Sequence, residues 1–132
     1  MLKVMIVEDN DLNMKLFRDL LRSESLDVVE TQDGNLAYEL ACNEKPDLIL
    51  MDIQLQGISG YDVVHRIKQD DSIRHIPIIA VTAFAMKDDE ERILASGCDA
   101  YIAKPISIAS FMETIHHYLN HSATSRTQGG NA

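Results

Sequence analysis

The chain has 132 residues, 45% hydrophobic and 25% charged, a composition that suits one soluble globular domain and leaves no room for a second. Twelve Lys and Arg against 21 Asp and Glu give a net charge of -9, which excludes a broad phosphate-binding surface and with it direct DNA or RNA binding. No apolar run reaches the roughly 18 residues that a membrane span needs, the N-terminus lacks a signal-type core, and Cys42 and Cys98 have neither metal-ligand nor disulfide-framework spacing. A reduced, cytoplasmic setting without membrane insertion is expected.

In chain order, the Val/Ile/Leu-rich run Leu2–Val7 predicts a first buried strand. Leu12, Leu16 and Leu20, joined by Phe17 and Leu21, predict the inner face of a first helix. Val28–Thr31 predicts a second strand, and Leu36, Ala37, Leu40 and Ala41 a second helical face. Asp47–Met51 is the third strand, followed by a shorter helix on Val63, Val64 and Ile67. Ile78–Thr82 is the fourth. Acidic residues at Asp88–Glu91, then Ile93 and Leu94, then Gly97, have the polarity of a helix from start to stop. Ala100–Ala103 is the fifth strand, and Ser107 caps a last helix on Ile108, Phe111, Met112, Ile115 and Leu119. Residues 121–132 are expected to form a disordered tail after a domain spanning 1–120, and no effector domain is expected beyond it. Strands alternating with helices predict an α/β fold, a doubly wound five-stranded parallel sheet in the order 2-1-3-4-5 with five helices.

Polar residues gather where these strands end. Glu8 and Asp9 follow the first, Asp52 the third, Thr82 closes the fourth and Lys104 follows the fifth. In a doubly wound sheet, ligands sit beyond the carboxyl ends of the strands, at the switch point where strand order reverses. Each residue has an ordinary reading by itself: a helix cap, a buried carboxylate, a β-branched strand residue, a solvated cation. Their convergence on one crevice is what points to chemistry. Three carboxylates repel by about 4 kcal/mol per pair at 4 Å with an effective dielectric near 20. Lys104 offsets one charge, and a divalent cation brings the remainder to zero. Oxygen ligands select Mg²⁺, which favours carboxylates together with phosphate oxygens, so the crevice reads as a phosphoryl-transfer site.

The segments Val7-Glu8-Asp9-Asn10, Leu48–Asp52, Ala80–Ala83 and Ala103-Lys104-Pro105 resemble those of bacterial response-regulator receiver domains, which have a flavodoxin-like fold. Within that family, Asn13–Phe17, Lys45–Leu55 and Ala80–Ile93 resemble a single-domain subgroup that controls cell division and polarity. The resemblance implies that Asp52 is the phosphoacceptor and that Glu8, Asp9, Asp52 and the backbone carbonyl of Gln54 hold Mg²⁺, Glu8 mainly through a water. It implies that the Thr82 hydroxyl and Lys104 bind phosphoryl oxygens, that Tyr101 is an aromatic switch, and that the Lys104–Pro105 bond is cis. It further implies a phosphorelay protein without enzymatic turnover, cytoplasmic and drawn to the cell pole through its partners. Those partners would be sensor histidine kinases or histidine phosphotransfer proteins and a downstream target, the chain itself being a monomer or weak dimer.

The chain departs from the pattern at two positions. Glu8 stands where Asp is commoner, and Gln56 stands where Pro is common, which is expected to loosen the loop before Gly57. Three rival readings have specific objections. A haloacid-dehalogenase-type phosphatase needs a second Asp two residues after its nucleophile, and Gln54 is there. A flavin carrier on this fold needs a Ser/Thr/Gly phosphate loop where Glu8 and Asp9 lie. A pseudo-receiver would lack part of the acidic, Thr and Lys set that is present here. His117 and His121 have i, i+4 spacing without an evident third metal ligand.

Overall fold

The computed structural model describes residues 1–83 and 86–120. The strands are β1 (Lys3–Val7), β2 (Asp27–Thr31), β3 (Leu48–Asp52), β4 (Ile78–Thr82) and β5 (Ala100–Ala103). The helices are α1 (Asp11–Ser23), α2 (Gly34–Glu44), α3 (Gly60–Lys68), α4 (Lys87–Ala95) and α5 (Ile108–Asn131), the last described through residue 120. The expected tail over 121–132, His121 within it, and Phe84 all lie outside the described residues.

All strand pairs are parallel and the order is β2-β1-β3-β4-β5, as the alternation predicts. Strands β1, β3 and β4 read as unbroken apolar runs because both of their faces are covered. Val4 and Ile6, Leu48 and Leu50, and Ile79 and Val81 point to the side that carries α1 and α5, where they meet Phe17, Leu21, Phe111 and Ile115. Met5 and Val7, Ile49 and Met51, and Ile78 and Ala80 point to the opposite side, against Ala37, Ala41, Val63, Val64, Ile67 and Ile93. The first layer is keyed by Phe17 and Phe111, whose rings stack with centroids 5.4 Å apart and planes 9° from parallel.

One helical face differs from expectation. In α1 the buried residues are Met14, Phe17 and Leu21, while Leu12 is 79% and Leu16 36% exposed. At 100° per residue Leu12 and Leu16 lie more than about 100° round the helix from the middle of the buried face, while Leu20, at its edge, is half-buried against the core. Met14 completes the i, i+3, i+7 pattern that three leucines at i, i+4, i+8 imitate. The same over-reading applies to Leu36 and Leu94, which are 54% and 49% exposed beside the buried Ala37 and Ile93.

Two local features set the crevice. Asn10 caps α1 by accepting from the Asn13 N–H, so the chain turns immediately after Glu8 and Asp9 and leaves both at the head of the helix. Gly60 starts α3 against the end of β3, where an added Cβ would lie 2.5 Å from the Asp52 carbonyl oxygen. Glycine is therefore required for α3 to pack this close to β3, and its N–H donates to the Ile53 carbonyl at 3.1 Å.

Candidate functional site

Glu8, Asp52 and Thr82 are buried to 1%, 2% and 1% exposure in a protein whose other carboxylates mostly face solvent. The neighbouring ends of β1 and β3 bring one carboxylate oxygen each of Glu8, Asp9 and Asp52 within 4.8 Å of one another. Lys104, carried in by β5, places its ammonium 3.1 Å from Glu8 Oε1 and 3.4 Å from Asp52 Oδ2. The Lys104 backbone N–H donates to the Thr82 carbonyl at 2.8 Å, and the Lys104–Pro105 peptide is cis, as expected. All five residues at strand ends thus share one crevice.

The carboxylates are held differently. Asp52 Oδ1 accepts from the Gln54 N–H at 2.9 Å, which leaves Oδ2 toward Lys104. Asp9 is half-buried, and its Oδ2 accepts from the Gln56 N–H at 2.9 Å. Glu8 Oε2 accepts from the Asn10 N–H at 3.2 Å, while its buried Oε1 accepts no aligned hydrogen bond. Burial is the main reason that the Glu8 carboxyl is pushed up to about 7. The neighbouring Asp52 carboxylate adds to the rise, and Lys104 and the Asn10 N–H only partly oppose it. Glu8 is therefore a carboxylate whose charge the single lysine does not fully compensate.

That arrangement fits a hard divalent ion. It offers oxygen donors alone, crowded negative charge that one lysine does not neutralise, and a buried oxygen lacking a hydrogen bond. Among the described residues no other group of three metal-ligating side chains forms, and His116 instead lies 3.5 Å from Glu24.

The sequence reading missed the side chain of Gln54. Its amide nitrogen donates to Thr82 Oγ1 and its amide oxygen accepts from the Ala83 N–H, both at 3.3 Å. Only its position two residues after Asp52 could have drawn attention to it. The reading of Gln56 is corrected: the loop is pinned at this residue, because Gln56 has the N–H that a proline lacks and donates it to Asp9. Gln54 and Thr82 open on a cleft of about 230 Å³ bounded by Tyr61, over whose ring the Arg92 guanidinium lies at 4.3 Å. Tyr101 is half-buried and donates its hydroxyl to Glu90 on α4, which together with burial raises the phenol above its ordinary value.

The sequence model of the response regulator receiver domain matches residues 4–116. The chain belongs to this family. The receiver is 60% identical over 116 residues to the polar-differentiation response regulator DivK of Brucella anthropi, covering 88% of this chain and 94% of that protein. Its fold matches the receiver domain of the Pseudomonas aeruginosa sensor histidine kinase PA1611, which has a magnesium ion coordinated in its active-site cleft. That match has a TM-score of 0.83 at 33% identity and covers 90% of this chain and 98% of the other. The receiver domain of Saccharomyces cerevisiae Ssk1, solved with the histidine phosphotransfer protein Ypd1, matches with a TM-score of 0.82 at 26% identity, over 89% and 88% of the two chains. The receiver is thus a response-regulator signalling protein of the two-component type. No described helix is long and apolar enough to cross a membrane.

Proposed function

We propose that this receiver accepts a phosphoryl group from a phosphohistidine onto Asp52, and that Mg²⁺ is held by Glu8, Asp9, Asp52 and the backbone carbonyl of Gln54. The observation that carries the reading is the buried Asp52 carboxylate, crowded by two further acids and facing a lysine at 3.4 Å. The magnesium ion in the PA1611 receiver supports the choice of metal. When bound, Mg²⁺ offsets charge on the carboxylates and on the transferring phosphoryl group.

The chain's own groups do the rest. The Gln54 N–H fixes Asp52 Oδ1, so Oδ2 is the oxygen oriented to attack phosphorus in line. Lys104 stands beside Oδ2 to bind an equatorial oxygen as the phosphorus–nitrogen bond of the donor breaks. The acyl phosphate adds about one negative charge to the site, on the usual −1.5 to −2 for a phosphoryl group. Thr82, buried at the end of β4, turns its hydroxyl to that charge, and Tyr101 repacks into the space vacated. The Gln54 amide cannot act as a general acid or base toward water, which favours a stored acyl phosphate over enzymatic turnover.

The donor is a sensor histidine kinase or a histidine phosphotransfer protein. The exposed Leu12 and Leu16 begin at the mouth of the crevice and offer an apolar stripe to a helical donor. The complex of the similar Ssk1 receiver with Ypd1 supports this class of partner. The output is phosphorylation-dependent binding of another protein in cell-division control, in the cytoplasm and at the cell pole, a reading supported by the similarity to DivK. The test is phosphoryl labelling by a small phosphodonor. Wild type should label only with Mg²⁺ and Asp52→Asn not at all, and metal-dependent labelling of that variant would overturn the assignment.

A further inference from the structure

The Gln54 side chain spends both ends of its amide on the end of β4. Nε2 donates to the Thr82 hydroxyl oxygen and Oε1 accepts from the Ala83 N–H, each at 3.3 Å. The Gln54 backbone is tied at the same time to Asp52, through its N–H to Oδ1 at 2.9 Å. One residue therefore links the proposed phosphoacceptor to the last residue of β4 and the one after it, across 28 residues of chain to Thr82 and 29 to Ala83.

The chemistry of those donors gives the link its meaning. The Ala83 N–H and the Thr82 O–H are neutral donors at the mouth of a crevice whose other charges are carboxylates and one lysine. A phosphoryl group on Asp52 would present oxygens carrying nearly two negative charges. It is the better acceptor for both donors, because a charged acceptor makes a hydrogen bond roughly twice as strong as a neutral one. An amide oxygen is a neutral acceptor of the same size. We propose that the Gln54 amide is an internal stand-in for a phosphoryl oxygen. It occupies the Ala83 N–H and orients Thr82 in the resting protein, and it must be displaced before these groups can bind the phosphoryl group. Gln54 is thus a positioning residue that opposes the phosphorylated geometry. It has somewhere to go: it is half-buried and borders the 230 Å³ cleft between β4 and Tyr61.

The inference rests on Asp52 as the acceptor, and the experiment separates the two claims. Beryllofluoride, a tetrahedral mimic of a phosphoryl group on a carboxylate, is titrated by ¹⁹F NMR with Mg²⁺ present into wild type, Gln54→Ala and Gln54→Asn. Asn keeps the amide but is too short to reach both donors. Both variants should bind beryllofluoride about tenfold more tightly, as expected for freeing the Ala83 N–H from Oε1 and releasing the Thr82 oxygen from Nε2. Mg²⁺ is kept saturating for each protein, so the comparison reads beryllofluoride affinity alone. Unchanged or weaker beryllofluoride binding in the variants overturns the inference and leaves Asp52 standing. Absence of beryllofluoride binding to wild type removes the acceptor and the inference together.

Discussion

Replacing Asp52 by Asn should make the metal-free protein more stable, although it removes the group on which the chemistry depends. The amide nearly matches the carboxylate in shape, and its oxygen still accepts from the Gln54 N–H. At separations within 4.8 Å and an effective dielectric near 20, each of the two repulsions on Asp52 is worth about 3.5 kcal/mol before screening. The attraction to Lys104 at 3.4 Å is worth about 5 kcal/mol on the same footing. Two repulsions removed against one attraction lost leave a gain of about 1–3 kcal/mol, since the half-buried Asp9 is partly screened by solvent. For a chain of this size that is a rise in Tm of roughly 3–6 °C per kcal/mol. Urea unfolding in EDTA at about pH 8, where Glu8 is ionised, measures it. The gain should give way to a loss near about pH 5.5, where Glu8 holds its proton and the one repulsion left is smaller than the attraction to Lys104. Saturating Mg²⁺ should reverse the order, because an ion at 100 times its Kd adds about 2.7 kcal/mol to the protein that binds it. An Asp52→Asn protein less stable than wild type in EDTA at about pH 8 would refute the charge-crowding argument.

Glu8→Gln together with Asp9→Asn removes two of the three anionic ligands and should abolish Mg²⁺ binding by calorimetry. Binding within a factor of about ten of wild type would show the acids to be only a helix start. Tyr101→Ala should leave phosphotransfer near wild type but erase most of the affinity difference for a protein target between phosphorylated and unphosphorylated forms, a coupling of about 1–3 kcal/mol. An unchanged difference would remove Tyr101 from the output route. Where α2 meets the turn after α3, the Tyr38 hydroxyl and Ser72 hold the Asp70 carboxyl down at about 2, from an ordinary 3.8. A lowered carboxyl stabilises the fold above its unfolded value and loses that contribution as pH falls through the folded one. Wild type should therefore lose its advantage over Tyr38→Phe between 3.8 and about 2, and a constant difference across that range would contradict the contact.

The sheet was legible because β1, β3 and β4 are covered on both faces and read as unbroken apolar runs, with helical periodicity between them. The crevice followed from topology: once strand order is known, Glu8, Asp9, Asp52, Thr82 and Lys104 have no other place to go. What stayed hidden depends on direction within an element or on backbone groups. The Leu12-Leu16-Leu20 stripe is as regular as a core face, and only packing shows that Leu20 alone of the three meets the core and that Met14 takes the buried position. The Gln56 N–H on Asp9 belongs to the backbone, so the residue name carried no sign of it except that it is not proline. The Gln54 bridge joins the loop after β3 to the end of β4, 28 residues away, which no local pattern encodes.

The central claim is that Asp52 forms the acyl phosphate. After labelling with a small phosphodonor and Mg²⁺, borohydride reduction converts an aspartyl phosphate to homoserine, and peptide mass spectrometry locates it. Homoserine at position 52 alone is the expected result. Homoserine at Asp9, or stable label on a histidine with Asp52 unmodified, would contradict the account.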